Sequence, residues 1–239
     1  MGVVRRTLLA GLLPAPVEVV EAFADPSAFE LFPEERALME RAGSAERRRE
    51  FATVRMCAHT AMLRLGVPAA PVLPCEEGAD WARNAPRWPR GVVGAMTHCQ
   101  GYRAAAVARG GAVASVGIDA EPHASLPTGV QHAVTSPEER RALAGLARSH
   151  PEAAWDRVLF SAKESVFKAW FPLTGRWLGF EDCEIALDAD RGTFAAALRV
   201  PGPVVAGVRI DGFAGRWRIL GRPGQGTVGT AVAVRAPAV

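Results

Sequence analysis

From Glu184 to Val234 short apolar segments alternate with glycine-rich turns, a pattern that strands satisfy and helices do not. Upstream, apolar residues return at helical spacing. Glu34 to Leu65 is rich in Glu and Arg, carries Phe51, Val54, Ala58, Met62 and Leu65 as its apolar positions, and is stopped by Gly66-Val67-Pro68. Pro137 to Ser149 and Glu152 to Phe171 also read as helices, the second burying Trp155, Leu159, Val166, Phe167 and Trp170. Gly91 to Met96, Tyr102 to Ala108 and Ala112 to Ala120 read as strands. The first two flank a polar turn, Thr97-His98-Cys99-Gln100-Gly101, and Pro122 closes the third. Pro68 to Gly91 is a loop carrying five prolines. Helices and strands interspersed without strict βαβ alternation predict an α+β fold. No internal sequence repeat is evident.

Hydrophobic residues fill 49% of the 239 positions and charged residues 22%, which provides a core and argues against global disorder. The net charge of +3 suits a small anionic ligand or an acidic partner better than duplex DNA. Cys57, Cys75, Cys99 and Cys183 are scattered with no C-x-x-C pair, so reduced thiols are expected rather than disulfides or a zinc site. Met1 to Gly11 resembles part of a signal peptide, with two arginines and a short apolar run. Pro14, Pro16, Glu18 and Glu21 then follow without a convincing cleavage site. No uninterrupted apolar stretch is long enough to span a bilayer, and the expectation is a soluble cytoplasmic protein.

Only two of the 28 basic residues are lysines, Lys163 and Lys168, and both lie in Phe160-Ser161-Ala162-Lys163-Glu164-Ser165-Val166-Phe167-Lys168-Ala169-Trp170. Keeping lysine twice in an arginine-rich chain suggests sites that need a compact, mobile ammonium. Glu164 and Lys168 stand one helical turn apart, with Lys163 beside them, a combination suited to handling phosphate. The same residues also fit a solvated helix, with Ser161 and Glu164 as a capping box. Val113 to Glu121 ends in Asp119 and Glu121, which share a face in extended chain. Two carboxylates at the exit of a buried strand suit Mg²⁺, with Glu164 as a third oxygen donor, although a D-x-E pair also suits a solvated turn. Thr97 and His98 fall in the polar turn, where a single histidine is more often structural than functional. On the arginine-rich helix Arg47 and Arg55 lie on roughly the same side and could grip one phosphate group, or simply face solvent.

Together these segments resemble the Sfp-type 4′-phosphopantetheinyl transferases, particularly their actinobacterial branch. The resemblance spans about residues 30 to 185. It rests on Arg47-Arg48-Arg49-Glu50-Phe51-Ala52-Thr53-Val54-Arg55, Trp88-Pro89 and Thr97-His98-Cys99-Gln100-Gly101-Tyr102. It continues through Gly117-Ile118-Asp119-Ala120-Glu121-Pro122-His123, Phe160-Ser161-Ala162-Lys163-Glu164 with Lys168-Ala169-Trp170, and Trp177-Leu178-Gly179-Phe180-Glu181-Asp182. The family's usual glycine-alanine-proline ahead of Trp-Pro is replaced here by Arg83-Asn84-Ala85-Pro86-Arg87.

The resemblance implies transfer of the phosphopantetheine arm of coenzyme A to a serine of an acyl or peptidyl carrier protein, with release of 3′,5′-ADP. It implies two similar α/β halves packed side by side about a pseudo-twofold axis, 1–118 and 119–239, with the active site in the cleft between them. It further implies Mg²⁺ (or Mn²⁺) held by Asp119, Glu121 and Glu164. Coenzyme A phosphates would be bound by Arg47, Arg55, Arg83, Thr97 and His98, with Lys163 and Lys168 flanking the pyrophosphate. Glu164 would be the base, directly or through a metal-bound water, and Lys168 would assist the leaving 3′,5′-ADP. The carrier would dock near Phe171, Leu173, Arg176, Trp177 and Leu178, on a monomeric enzyme that binds neither nucleic acid nor membrane. Other readings are a different Mg²⁺-dependent nucleotide or phosphoester enzyme, and a non-catalytic arginine-rich binding module.

Overall fold

The computed structural model describes residues 7–27, 29–75 and 85–236. In chain order the elements are β1 (Glu18–Ala22), α1 (Pro33–Glu40), α2 (Ala45–Arg64), β2 (Leu73–Pro74), β3 (Pro86–Arg87), β4 (Val92–Cys99), β5 (Tyr102–Arg109) and β6 (Val113–Pro122). They continue with α3 (Val130–Val134), α4 (Pro137–Ser149), α5 (Trp155–Thr174), β7 (Cys183–Asp188), β8 (Thr193–Leu198), β9 (Val204–Val205), β10 (Val208–Arg209), β11 (Gly212–Leu220) and β12 (Thr227–Arg235). One antiparallel sheet runs β1-β5-β4 and a second runs β6-β12-β11-β8-β7, so the fold is α+β with the expected β-rich C-terminal third.

Helix α2 packs on β1 and β5, and α5 packs on β6 and β12. Alternation along β5 sends Ala105 and Val107 into the core under α2. Ala104, Ala106 and Ala108 face a second core shared with Val116, Ile118 and Ala120 of β6. The two sheets meet where β4 lies against β6, and Thr97 Oγ1 accepts the Ala120 N–H across that seam. Contact between β6 and α5 is very close: a Cβ at Gly117 would fall 1.9 Å from the Ser165 carbonyl oxygen. Ser115 Oγ fastens the same pair by donating to the Ala169 carbonyl at 2.7 Å.

Leu8, Leu9 and Leu12 fill the core between the sheets. Their backbone is clamped from both sides. Glu21 of β1 accepts the N–H groups of Leu8, Leu9 and Ala10, and Arg218 of β11 donates to the carbonyls of Thr7, Leu8 and Ala10. The apolar run near the start is thus part of the folded core. No helix among the described residues is long and apolar enough to cross a membrane. All four cysteines are free thiols.

Several expectations need correction. The single helix from Glu34 to Leu65 is two helices, because Ser44 caps α2 by accepting the Arg47 N–H after a break at Gly43. The hairpin turn is only Gln100-Gly101, with Gly101 at φ 73°, so Thr97 and His98 lie on β4 rather than in a turn. Helix α5 starts at Trp155, where Ala154 N–H is held by His123 Nε2, and it runs past Pro172. Its end is closed by the Thr174 hydroxyl on the Trp170 carbonyl and by Gly175 in the left-handed region. Ser161 therefore lies in the helix interior and caps nothing.

One four-residue motif recurs at two helix starts. Pro33-Glu34-Glu35-Arg36 opens α1 and Pro137-Glu138-Glu139-Arg140 opens α4. Both third residues are fully buried carboxylates with matching partners. Glu35 accepts from the Phe32 N–H, from Val72 N–H in the β2 strand region, and from His59, 24 residues on. Glu139 accepts from the Ser136 N–H, from Ile185 N–H on β7, and from Lys163, also 24 residues on. Four residues lacking an apolar period are too short to stand out in a sequence scan.

Candidate functional site

The seam between the sheets opens into a cleft of about 530 Å³. Val54 and Arg55 of α2, Trp88, and Val93, Met96 and His98 of β4 line one side. Glu164, Phe167, Lys168 and Phe171 of α5 line the other. Its walls are apolar, with charge confined to Arg55, His98, Glu164 and Lys168. Arg55 is held by its Nε donating to the Val72 carbonyl at 3.2 Å and by its guanidinium lying 4.0 Å over the Phe51 ring. Burial lowers its pKa to about 10, opposed by Glu35, so it stays cationic at neutral pH. His98 sits beside Glu50, and burial pulls its pKa below the ordinary histidine value.

Beside the cleft, alternation on β6 turns Asp119 and Glu121 toward α5 as the spacing predicts. Asp119 is buried and accepts from Lys168 Nζ at 2.8 Å, Ser161 Oγ at 2.8 Å and Thr97 Oγ1 at 3.4 Å. Ser161 is itself fixed against Thr230 of β12. Glu121 accepts from Arg157 at 2.8 Å, and the same guanidinium also donates to the carbonyls of Ala124 and Ser125. Glu164 stands one turn before Lys168 on α5. Burial, with Asp119 and Glu121 adding to it and Lys168 opposing, pushes its pKa up to about 6. Glu121 is also raised, first by burial and then by Asp119.

Three carboxylates therefore share a field in which at least two hold their charge reluctantly, and all three offer oxygen only. That chemistry fits a hard divalent cation. Among the described residues no three His, Cys, Asp or Glu side chains are gathered at metal-ligating spacing. Asp119 and Glu121 are engaged instead by Lys168 and Arg157.

Not every expected site residue joins this group. Lys163 points away from Lys168, because five residues on an α-helix turn a side chain through about 140°. It is buried, with Nζ donating to Glu139 at 2.9 Å and to the Phe180 carbonyl at 2.8 Å, which makes it a clamp between α4 and α5. Arg47 is exposed in the first turn of α2 and does not line the cleft, whereas Arg55 does. Thr97 is buried against Asp119 and orients that carboxylate rather than facing the cleft. Arg83 lies outside the described residues. Sequence reasoning missed Arg157, Glu50 and Arg103, whose roles depend on which strand ends they meet and carry no spacing signal.

Comparison with known proteins gives the family. Residues 34–108 match the 4′-phosphopantetheinyl transferase N-terminal domain, and residues 115–205 match the 4′-phosphopantetheinyl transferase superfamily. The chain is 55% identical over 235 residues to the 4′-phosphopantetheinyl transferase Svp of Streptomyces mobaraensis, covering 97% of this chain and 91% of that protein. It is 46% identical to the 4′-phosphopantetheinyl transferase PptT of Mycobacterium tuberculosis, covering 89% and 93% of the two chains. It is 43% identical to the 4′-phosphopantetheinyl transferase Npt of Nocardia iowensis, covering 95% and 99%. With two adjoining family matches over most of its length and relatives aligned nearly end to end, the chain belongs to the 4′-phosphopantetheinyl transferase family.

Proposed function

We propose that the chain moves the phosphopantetheine arm of coenzyme A onto a serine of an acyl or peptidyl carrier protein, releasing 3′,5′-ADP, in the cleft between α2 and α5. The observation that carries this reading is that Arg55, His98, Glu164 and Lys168, from three separate elements, line one cleft with apolar walls. The apolar stretch from Val93 and Met96 to Phe167 suits the pantetheine arm, and the cationic residues suit the phosphates. The serine oxygen attacks the phosphorus that bears the pantetheine, and the bond from that phosphorus to the 3′,5′-ADP oxygen breaks.

Glu164 takes the serine proton: with no divalent cation beside it, burial holds its pKa at about 6, ionised at neutral pH yet basic, and a divalent cation it shared would lower that basicity. Lys168 swings from Asp119 to the charge developing on the leaving phosphate. Asp119, Glu121 and Glu164 would hold Mg²⁺, which supplies charge neutralisation on the pyrophosphate. For Asp119 and Glu121 to do so, Lys168 and Arg157 must give way. Residues 1–118 and 119–239 then form two similar halves about a pseudo-twofold axis, a reading supported by the equivalent partners of Glu35 and Glu139. The enzyme acts as a monomer in the cytoplasm.

Incubating an apo carrier protein with the enzyme, coenzyme A and Mg²⁺ tests the reaction. A mass gain of about 340 Da, that of the phosphopantetheine arm, is expected; no gain across fatty-acid, polyketide and peptide-type carriers would sink the proposal.

His98→Ala and Arg55→Ala should raise KM for coenzyme A more than they lower kcat, because the 3′-phosphate is remote from the reacting phosphorus. Dephospho-coenzyme A lacks that group, so the defect should shrink with it as substrate. Equal defects on both substrates would remove the assignment.

The carrier docks past the C-terminal end of α5, where Trp177 is about half exposed and packs on Phe167 at 5.1 Å between ring centres. Phe171 lines the cleft itself, whereas Leu178 is buried and belongs to the core. Carriers offer their serine at an acidic helix, so Arg176→Glu should raise KM for the carrier at low salt and leave coenzyme A binding unchanged. An unaltered carrier KM would move the docking surface elsewhere.

A further inference from the structure

We propose that Glu50 is a positioning residue for nucleotide recognition, holding the His98 ring so that its outer nitrogen meets the ligand, and that Arg103 fixes Glu50 for this task. The inference rests on the reading that His98 contacts a coenzyme A phosphate. Alternation on β4 puts His98 on the same side as Met96, toward α2, and there its Nδ1 lies 3.6 Å from Glu50 Oε2. Glu50 approaches with one oxygen only. Its other oxygen, Oε1, lies 3.3 Å from Arg103 Nη2, which is also 3.2 Å from Asp25 Oδ2.

Arg103 is itself buried and anchored. It is 5% exposed, its Nη1 donates to the carbonyls of Cys99 and Tyr102, and it lies opposite His98 across the β4–β5 hairpin. The guanidinium is thus anchored to the hairpin that carries the histidine, and it hands that rigidity to Glu50. A carboxylate 3.6 Å from Nδ1 favours the doubly protonated ring, and only in that form does Nε2 carry a proton to donate to an anion in the cleft.

Electrostatics agree with the geometry. The charged groups around His98 are Glu50 of α2, Arg103 of β5, Lys168 of α5 and Asp119 of β6. Burial, Arg103 and Lys168 disfavour its cationic form, and Glu50 is the larger of the two groups that favour it. A carboxylate near an anion site would ordinarily weaken it, so its placement behind the histidine, away from the cleft lining, matters.

Calorimetric titration of coenzyme A and of dephospho-coenzyme A into the full chain tests this. Glu50→Gln should weaken coenzyme A binding about threefold to fivefold, the scale of a half-exposed ion pair, and leave dephospho-coenzyme A unchanged. Glu50→Asp, too short to span both partners, should show the same selective loss and serves if the glutamine variant folds poorly. Asp25→Asn shares the guanidinium but does not touch His98, and should change neither Kd by more than about twofold. If both Glu50 variants bind coenzyme A as the wild type does, or lose both ligands equally, Glu50 is merely a counter-ion for Arg103 and the inference is overturned. If the wild type itself binds coenzyme A no better than dephospho-coenzyme A, the phosphate assignment of His98 fails first and takes this inference with it.

Discussion

Asp119→Ala is expected to lower turnover by about 10³-fold or more while the protein remains folded. This carboxylate is where the two sides of the site are tied together: Thr97 from β4, Ser161 and Lys168 from α5 all donate to it. Losing it frees Lys168 from its resting place and removes one oxygen from the carboxylate group proposed to hold the metal. Folding should survive because Ser161 retains Thr230, Thr97 retains the Ala120 N–H, and one of several mutually repelling carboxylates has gone. Steady-state transfer to an apo carrier at limiting and at saturating Mg²⁺ is the measurement. Near-normal turnover at limiting metal would show that Asp119 is not part of the reacting assembly.

Lys163→Ala is expected to cost about 3–5 kcal/mol of stability, lowering Tm by roughly 10 °C, because it strands the Glu139 carboxylate in the interior. The Lys163 side chain is 3% exposed and that of Glu139 1%, so water cannot replace the lost ammonium. Two backbone N–H donors would remain on Glu139, from Ser136 and Ile185, and neither carries the compensating charge. Lys168→Ala should do the reverse, with a large loss of turnover and the smaller change in Tm. Thermal melts and transfer kinetics on both variants decide the matter. A Lys163→Ala protein that melts like the wild type but shows a raised KM for coenzyme A would return Lys163 to the phosphate site.

Much of this is legible in the sequence alone. Asp119 and Glu121 share a face because extended chain has a period of two, and α4 begins and ends at the expected Pro137 and Ser149. Proline at the first helical position, after a serine cap, needs no tertiary help to be read. What failed was whatever depended on a partner far along the chain. Lys163 and Lys168 look alike in sequence, and only the arrival of α4 on one side of α5 and β6 on the other separates a buried clamp from a cleft residue. The polar residues at Thr97 and His98 suggest a turn. The β4–β5 ladder instead extends to Cys99 and Tyr102, leaving two residues for the hairpin. The break before α2 was hidden because charged residues on both sides sustain the look of one helix, and the deciding hydrogen bond is a single serine cap.

The clamp on Thr7 to Ala10 bears on the order in which the chain can be made. Leu8 and Leu9 are made before the Arg218 side chain that holds their backbone, which lies more than 200 positions downstream. Leu8 also packs against Gly229 of β12, where a Cβ would come within 2.6 Å of its side chain. Until β11 and β12 are made, the core around these leucines lacks one of its walls. The central core is therefore built from contacts of long sequence separation, with the later strands closing over the earlier segment.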